Sequence, residues 1–327
     1  MTRRLDSHPG AGRDGGMVRP IFKNRAVQGP PGARSAAHHG YWITDFTDVD
    51  PHFGTKADFK ALVEAAHARG LKVYMDIVVN HTADIIQYRE CPESRCAYRG
   101  VADYPYTRRG GVAGAVINDG FDGKDFSKLK RSDWAYTPYV PAGQEHAKTP
   151  DWLNDPIYYH NRGESTFTGE SSLTGDFATL DDVSTENPRV VQGFIEIYGK
   201  WIDDFGVDGF RIDTARHVNP EFWQAFVPAM LARAKARGIP ELPHLRRGVR
   251  PRRRDPGQPY TRRQAAGGAG LRVPVGGDRR RHRPDGHRPP GPCLRRRSGL
   301  RGRRGGALAA ADLPGQSTTW AASVGSC

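Results

Sequence analysis

Apolar residues recur at helical spacing in three stretches of the chain, and two of those stretches lead straight into a short apolar run of strand character. The first begins at Thr55-Lys-Ala-Asp58, a capping-box signal, and continues through Phe59, Leu62, Val63 and Ala66 to Gly70, which is placed to stop a helix. Leu71 to Val79 follows as a mostly apolar, β-rich run, the pattern of a parallel strand buried on both faces, and ends in the polar pair Asn80-His81. The second helix opens at Asn187-Pro188 and carries Val190, Phe194, Ile197, Trp201 and Phe205 on one face before Gly206. A strand over Val207 to Ile212 comes next. A third helix then starts at Pro220 and runs through Phe222, Phe226 and Met230, with a kink expected at Pro228 and an end near Gly238. Helix, strand, polar tip, helix is the unit of an α/β barrel or a doubly wound sheet. Between the units lie about 100 residues rich in Gly, Asp, Tyr and Ser, too long for a simple loop and read as an inserted domain.

Charge changes this picture at the ends only. The net charge of +13 would suggest a polyanionic partner, but residues 242–327 hold 20 Arg, no Lys and 4 Asp, which leaves the first 241 residues at −3. A basic tail of this kind gives salt-dependent, sequence-blind affinity for nucleic acid. It carries only Tyr260 and Trp320 for base stacking, so nucleic acid is set aside as a selected partner. No run of 18 apolar residues predicts a membrane span, and the first 30 residues lack the apolar stretch of a secretory signal. Cys91 and Cys96 stand close enough to pair, and the sequence leaves a bridge and two free thiols both open.

Within the strand ending at Ile212, residues two apart share a face, so Arg211 and Asp213 point one way while Phe210 and Ile212 point toward packing helices. A neighbouring guanidinium favours the ionised carboxylate, and an ionised carboxylate at the mouth of a parallel sheet can attack a sugar carbon. The plain alternative is a structural ion pair at a strand end, and this strand alone does not choose between the two.

Three segments taken together do. Asp76-Ile-Val-Val-Asn80-His81 and Gly209-Phe-Arg-Ile-Asp213-Thr-Ala-Arg216-His217 resemble the first and second signature regions of the α-amylase family of glycoside hydrolases. His39-Gly-Tyr41-Trp42-Ile-Thr-Asp45-Phe46, with Asp50-Pro51 and Phe53-Gly54-Thr55, resembles that family's segment between the second barrel strand and its helix. The resemblance covers about Pro20 to Glu241. It implies an α/β fold, a partial (β/α)8 TIM barrel with an inserted domain after the third strand, and a chain that divides accordingly. Residues 1–19 are then an aberrant N-terminal segment, 20–81 the region of barrel strands 2 and 3, 82–185 the inserted domain, 186–241 the region of strand 4 and its helix, and 242–327 an Arg, Gly and Pro-rich tail outside the family pattern. About three barrel strands are expected, and an arc of barrel predicts poor solubility or dependence on another chain.

Carried over residue by residue, the resemblance makes Asp213 the nucleophile and Arg211 its charge partner. Tyr41 becomes the platform for a sugar ring, His81 and His217 hydrogen-bond sugar hydroxyls, and Arg216, where the family often has Lys, contacts the next glucose. A structural Ca²⁺ is implied, bound by the side chains of Asn80 and Asp182 and the backbone carbonyl of His217, hard oxygen donors suited to that ion. Asp181 departs from the family's usual Leu-Pro-Asp at this point. Taken singly, His81 reads as a structural histidine, Asn80 as a strand cap and Tyr41 as core. The implied substrate is an α-1,4-glucan such as starch or maltodextrin. The segment around Tyr41 is also similar to cyclodextrin-forming transferases, so hydrolysis and transglycosylation both stand, with a non-catalytic sugar-binding remnant as a third reading. Intact relatives are often secreted; the compartment and oligomeric state of this chain stay open.

One piece is missing. A retaining glycosidase needs a second carboxyl group about 5 to 5.5 Å from the first, to protonate the leaving oxygen. In the family it is a Glu ending the next strand, and after Ile239-Pro240-Glu241 no such strand is legible. Codons compatible with Leu242 to Val249, read after removal of one base, can spell Phe-His-Ile-Phe-Gly-Glu-Val, the absent strand with its acid. The same shift over His8 to Val18 can spell Ile-Gln-Gly-Leu-Gly-Ala-Thr-Ala-Val-Trp, a fair barrel strand. The chain is therefore expected to be an inactive fragment with out-of-frame ends.

Overall fold

The computed structural model describes residues 15–29, 32, 34–91 and 95–239, together with the backbone of 244–246. Fourteen regular elements follow in chain order. Strands β1 (Gly15–Val18), β2 (Phe22–Asn24), β3 (Val27–Gln28), β4 (Ser35–Ala36) and β5 (Ile43–Val49) precede helix α1 (Lys56–His67) and strand β6 (Lys72–Ile77). The long polar segment contributes β7 (Gln87–Tyr88), β8 (Pro138–Tyr139) and the one-turn helix α2 (Ser171–Thr174). Helix α3 (Pro188–Phe205), strand β9 (Gly209–Ile212), helix α4 (Pro220–Ala236) and strand β10 (His244–Arg246) complete the series.

The centre is a parallel sheet in the order β1-β6-β9-β10, so sequence-distant strands become neighbours through helical crossovers. Two expectations need correction. Gly15–Val18 pairs in register with Lys72–Met75 although it lies in the segment read as aberrant, and His244–Arg246 pairs with Phe210–Ile212 although no strand was legible beyond Glu241. The sheet thus has four described strands rather than three. The reason is that an edge strand is recruited by the unpaired backbone of its neighbour, which side-chain pattern does not report. The remaining tail and residues 1–14, including the out-of-frame proposal for both, lie outside the described residues.

Local chemistry explains the helices. Thr55 caps α1 by accepting from the Asp58 amide at 3.2 Å, and the Asp58 carboxylate takes the Thr55 amide at 2.8 Å, so both halves of the capping box form. Phe59, Val63 and Ala66 face the core, and Gly70 at φ 69° turns the chain into β6. Asn187 caps α3 through the Arg189 amide, Pro188 occupies its first turn, and Gly206 ends it in the left-handed region at φ 68°. Helix α4 contains Pro228 and still runs to Ala236, longer than a break at the proline would allow.

Helix α3 packs on α4 and α1, and its buried face meets the antiparallel pair β2 and β5 through an aromatic cluster of Phe22, Phe46, Phe194, Tyr198 and Trp201, with Tyr198 also against Phe210 of β9. Tyr198 donates its hydroxyl to the carbonyl of Val78, just past the end of β6, which ties the helix to the strand that carries Asn80 and His81. The segment between β6 and α3 has a small apolar cluster of its own at Phe121, Leu129, Trp134 and Ala135, while Leu153, Tyr159 and Val183 join the main core. Cys91 and Cys96 form a disulfide, which resolves the alternative left open by their spacing. Among the described residues no helix is long and apolar enough to cross a membrane.

Candidate active site

The site forms where β6 and β9 end together. Asp76 and Arg211 are register partners across that parallel pair, so their side chains leave the sheet on the same side. Arg211 Nη1 lies 2.8 Å from both carboxylate oxygens of Asp76 and 2.8 Å from Oδ1 of Asp213, while Phe210 and Ile212 are fully buried on the other face. The alternation expected of this strand is therefore present. Burial works against the charge of Arg211, but Asp76 and Asp213 outweigh it and hold the guanidinium protonated. Burial also pushes the Asp76 carboxyl up to about 6, against the pull of Arg211.

Tyr41 comes to the same point from the loop before β5. Its hydroxyl donates to Asp76 Oδ2 at 2.9 Å and accepts from Arg211 at 3.2 Å, and its ring stacks on His39 with centroids 5.7 Å apart. Burial, then the charge of Asp76, raises its phenol above the ordinary range. The residue that reads as core from sequence alone is thus a half-buried member of the charged cluster.

His81, four residues past the end of β6, is buried, and both its ring nitrogens lack a hydrogen-bond partner. Its ring stacks on Phe177 at 5.6 Å, and Phe177 in turn meets His217 edge-on at 5.2 Å. Burial, helped by nearby His217, pushes the His81 pKa down to about 3, so the ring is neutral. After Asp213 the chain makes a tight turn through Thr214, held in the left-handed region at φ 50°, into the short helix Ala215–His217. His217 donates from Nδ1 to the Ser172 carbonyl at 2.7 Å and accepts at Nε2 from Arg216 Nε at 2.9 Å, which fixes a neutral tautomer; burial lowers its pKa as well. Arg216 is exposed.

The proposed cation ligands are brought together in part. Asn80 Nδ2 lies 3.1 Å from Asp182 Oδ1, and the backbones of His81 and Asp182 bridge, whereas the His217 side chain is engaged with Ser172 and Arg216. Asp182 Oδ2 accepts from His160 Nδ1 at 2.6 Å, and His160 Nε2 donates to Glu186 at 3.0 Å. Burial pushes Asp182 up to about 7 despite His160. Burial disfavours charge on His160, yet Glu186 and Asp182 raise it well above the ordinary imidazole range. Among the described residues no three His, Cys, Asp or Glu side chains form a cluster fit for a metal ion. Any cation here would depend on amide and carbonyl oxygens beside Asp182.

Sequence reasoning assigned no role to Asp76, Phe177, His160 or Glu186. Asp76 did leave a signal: it is a lone acidic residue within an apolar run that must be buried on both faces, and a buried charge demands a partner. The other three sit in irregular backbone, where spacing carries no information about who meets whom.

Two carboxylates, a guanidinium, neutral histidines and an aromatic ring thus gather where the parallel strands β6 and β9 end, a usual place for a functional site on an α/β scaffold. Residues 1–250 match the family described as Alpha amylase, catalytic domain, a match that takes in the N-terminal stretch and reaches past Glu241, and the chain belongs to that family. It is 45% identical over 238 residues to an alpha-amylase of Streptomyces lividans, covering 73% of this chain and 26% of that protein. It is 29% identical over 191 residues to a cyclomaltodextrin glucanotransferase of Geobacillus stearothermophilus, covering 58% of this chain and 20% of the relative. Among solved structures, the alpha-amylase of Geobacillus thermoleovorans complexed with acarbose aligns at 27% identity with a TM-score of 0.44, over 71% of this chain and 37% of its own. The chain spans about a quarter of the Streptomyces relative's length and about a fifth of the transferase's.

Proposed function

We propose that this chain carries the nucleophile half of a retaining glycoside hydrolase site for α-1,4-glucans. One observation carries the reading: Arg211 Nη1 holds Asp213 at the end of β9 through a 2.8 Å contact while the same nitrogen engages Asp76. Asp213 would attack the anomeric carbon and form a covalent glycosyl ester as the glycosidic bond breaks, and a second carboxyl group would protonate the departing oxygen. Asp76 is a poor candidate for that acid, because it is 2% exposed and already engaged by Arg211 and Tyr41. Tyr41 offers a ring to the sugar face. His81 would bond a sugar hydroxyl through ring nitrogens that have no partner in the protein, and His217 would do so at Nε2 once Arg216, which now donates to it, turns to the glucan. Arg216, exposed beyond them, would meet the next glucose.

The four parallel strands are read here as an arc of the eight-stranded barrel, and residues 82–185 as its inserted domain. Ca²⁺ would be held by the side chains of Asn80 and Asp182 with the His217 carbonyl. The fit rests on donor chemistry: a buried carboxylate that burial pushes toward protonation is one that a hard cation would keep ionised. Bound there, the ion would clamp the inserted segment to the strand ends and take no part in bond cleavage.

A non-catalytic sugar-binding role is the second reading, favoured by the lack of an available acid beside Asp213 among the described residues. Starch cleavage by this chain and by a version with the tail frame restored separates the two. Activity in the restored protein alone, abolished by Asp213→Asn, supports the proposal. Equal activity in the unrestored chain means that the acid has been misplaced. Release of cyclic rather than linear products would assign transglycosylation.

A further inference from the structure

We infer that Asp181 and Lys148 are positioning residues for this site, a buried ion pair that fixes the backbone bearing Asn80 and His81. The inference rests on the reading of His81 as a sugar-facing residue. Lys148 Nζ lies 2.6 Å from Asp181 Oδ2, with the two side chains 1% and 4% exposed. The same carboxylate accepts from the amides of Ile85 at 3.0 Å and Ile86 at 3.1 Å, and the Asp181 carbonyl accepts from the Thr82 amide at 3.1 Å. Residues 82 to 86 are therefore pinned to Asp181 at three amides. On the other side, the Val183 amide donates to the Asn80 carbonyl at 2.9 Å and His81 bridges Asp182. The chain on both sides of His81 is bonded to residues 181–183.

Lys148 is itself held from several directions. Its amide donates to Asn154 at 2.9 Å, its ammonium reaches the Tyr159 hydroxyl at 3.0 Å, and that hydroxyl donates to the Leu153 carbonyl. The other charges facing the pair are Asp84, partly buried beside Asp181, the buried Asp176, which also interacts with Asp181, and Arg25, which donates to the Asp84 carbonyl. A carboxylate so placed is stable only with a cation beside it. At this position the family resemblance expects Pro, which could still accept from Thr82 through its carbonyl but offers no side-chain acceptor to Ile85 or Ile86 and needs no lysine. Asp181 with Lys148 thus places an internal ammonium beside a carboxylate that organises the backbone next to the site.

Hydrogen exchange on the whole chain tests it, with the amides of α3 as internal reference. Lys148→Met removes the cation at similar length; the amides of Thr82, Ile85 and Ile86 should then exchange about tenfold faster or more, with α3 unchanged. The double variant Lys148→Met/Asp181→Asn keeps an amide acceptor without the charge and should recover to within about threefold of the parent. Unchanged exchange in Lys148→Met overturns the inference, and so does a double variant as disturbed, or as unable to fold, as the single one. If Lys148→Met does not fold, a double variant that folds supports the pair. NMR of ring-labelled histidine adds a readout that loss of stability alone would not move: the His81 signal should shift in Lys148→Met and return in the double variant, while His67 stays put. Maltoheptaose titration separates the underlying reading. If the parent chain ignores the sugar while exchange and ring signals respond as expected, the sugar assignment fails and the positioning pair stands.

Discussion

Asp76 and Arg211 face each other across the parallel pair β6 and β9, with one guanidinium nitrogen 2.8 Å from both oxygens of a carboxylate that is 2% exposed. Two neighbouring strands are thereby joined by side chains at the point where the candidate nucleophile begins. The carboxyl nevertheless sits at about 6 rather than 3.8, because burial outweighs the ion pair. A folded-state pKa raised above the unfolded one stabilises below about pH 3.8, and that contribution is lost as pH rises through 6. The loss amounts to roughly 3 kcal/mol. Asp76→Asn should remove this slope, so urea unfolding between pH 4 and 7 should show wild type gaining stability relative to the variant as pH falls.

His81 acts with the opposite sign. Its pKa is pushed down from 6.5 to about 3, so the stability of the buried neutral ring is present above 6.5 and lost as pH falls toward 3. The full loss is roughly 4 to 5 kcal/mol. His81→Gln should flatten the acid limb of the stability curve. Between about pH 4 and 6 the slopes of Asp76 and His81 largely cancel, so each single substitution should unmask the other group. Parallel curves for wild type and both variants would contradict the burial of both.

Gly193 lies in α3 against the Trp152 ring and the guanidinium of Arg189, which itself stacks over that ring at 4.9 Å. A methyl group on Gly193 would run into Trp152. Alanine is the better helix former by about 1 kcal/mol. Overpacking costs about 1 to 3 kcal/mol. Gly193→Ala should therefore lower stability by about 1 kcal/mol, read as a lower urea midpoint at unchanged slope. A rise in the midpoint would mean that Trp152 gives way freely.

Thr55→Ala removes one half of the capping box on α1 and leaves the Asp58 amide to solvent. The expected loss is about 1 kcal/mol. The position is exposed, so Thr55→Ser should retain nearly all of the stability, and equal losses in the two variants would point to packing rather than capping.

Helix starts and stops were legible because each depends on residues adjacent in sequence: Thr55 with Asp58, Asn187 with Pro188, and Gly206 where the chain turns left-handed. The facing of Arg211 and Asp213 was legible for the same reason, since alternation along a strand is a local rule. Strands β1 and β10 were not, because a three- or four-residue edge is chosen by the unpaired backbone beside it.

What the chain settles by itself is thus the periodicity of its helices and the motifs that carry a carboxylate, a guanidinium and two histidines to strand ends. Only the folded structure decided that Asp76 closes onto Arg211 and Tyr41, that His81 is enclosed with both nitrogens free, and that Asp181 is answered by Lys148. Those partners lie between 33 and 135 residues apart, and pairing over such separations is fixed by which buried charges and donors must be satisfied once the core has formed.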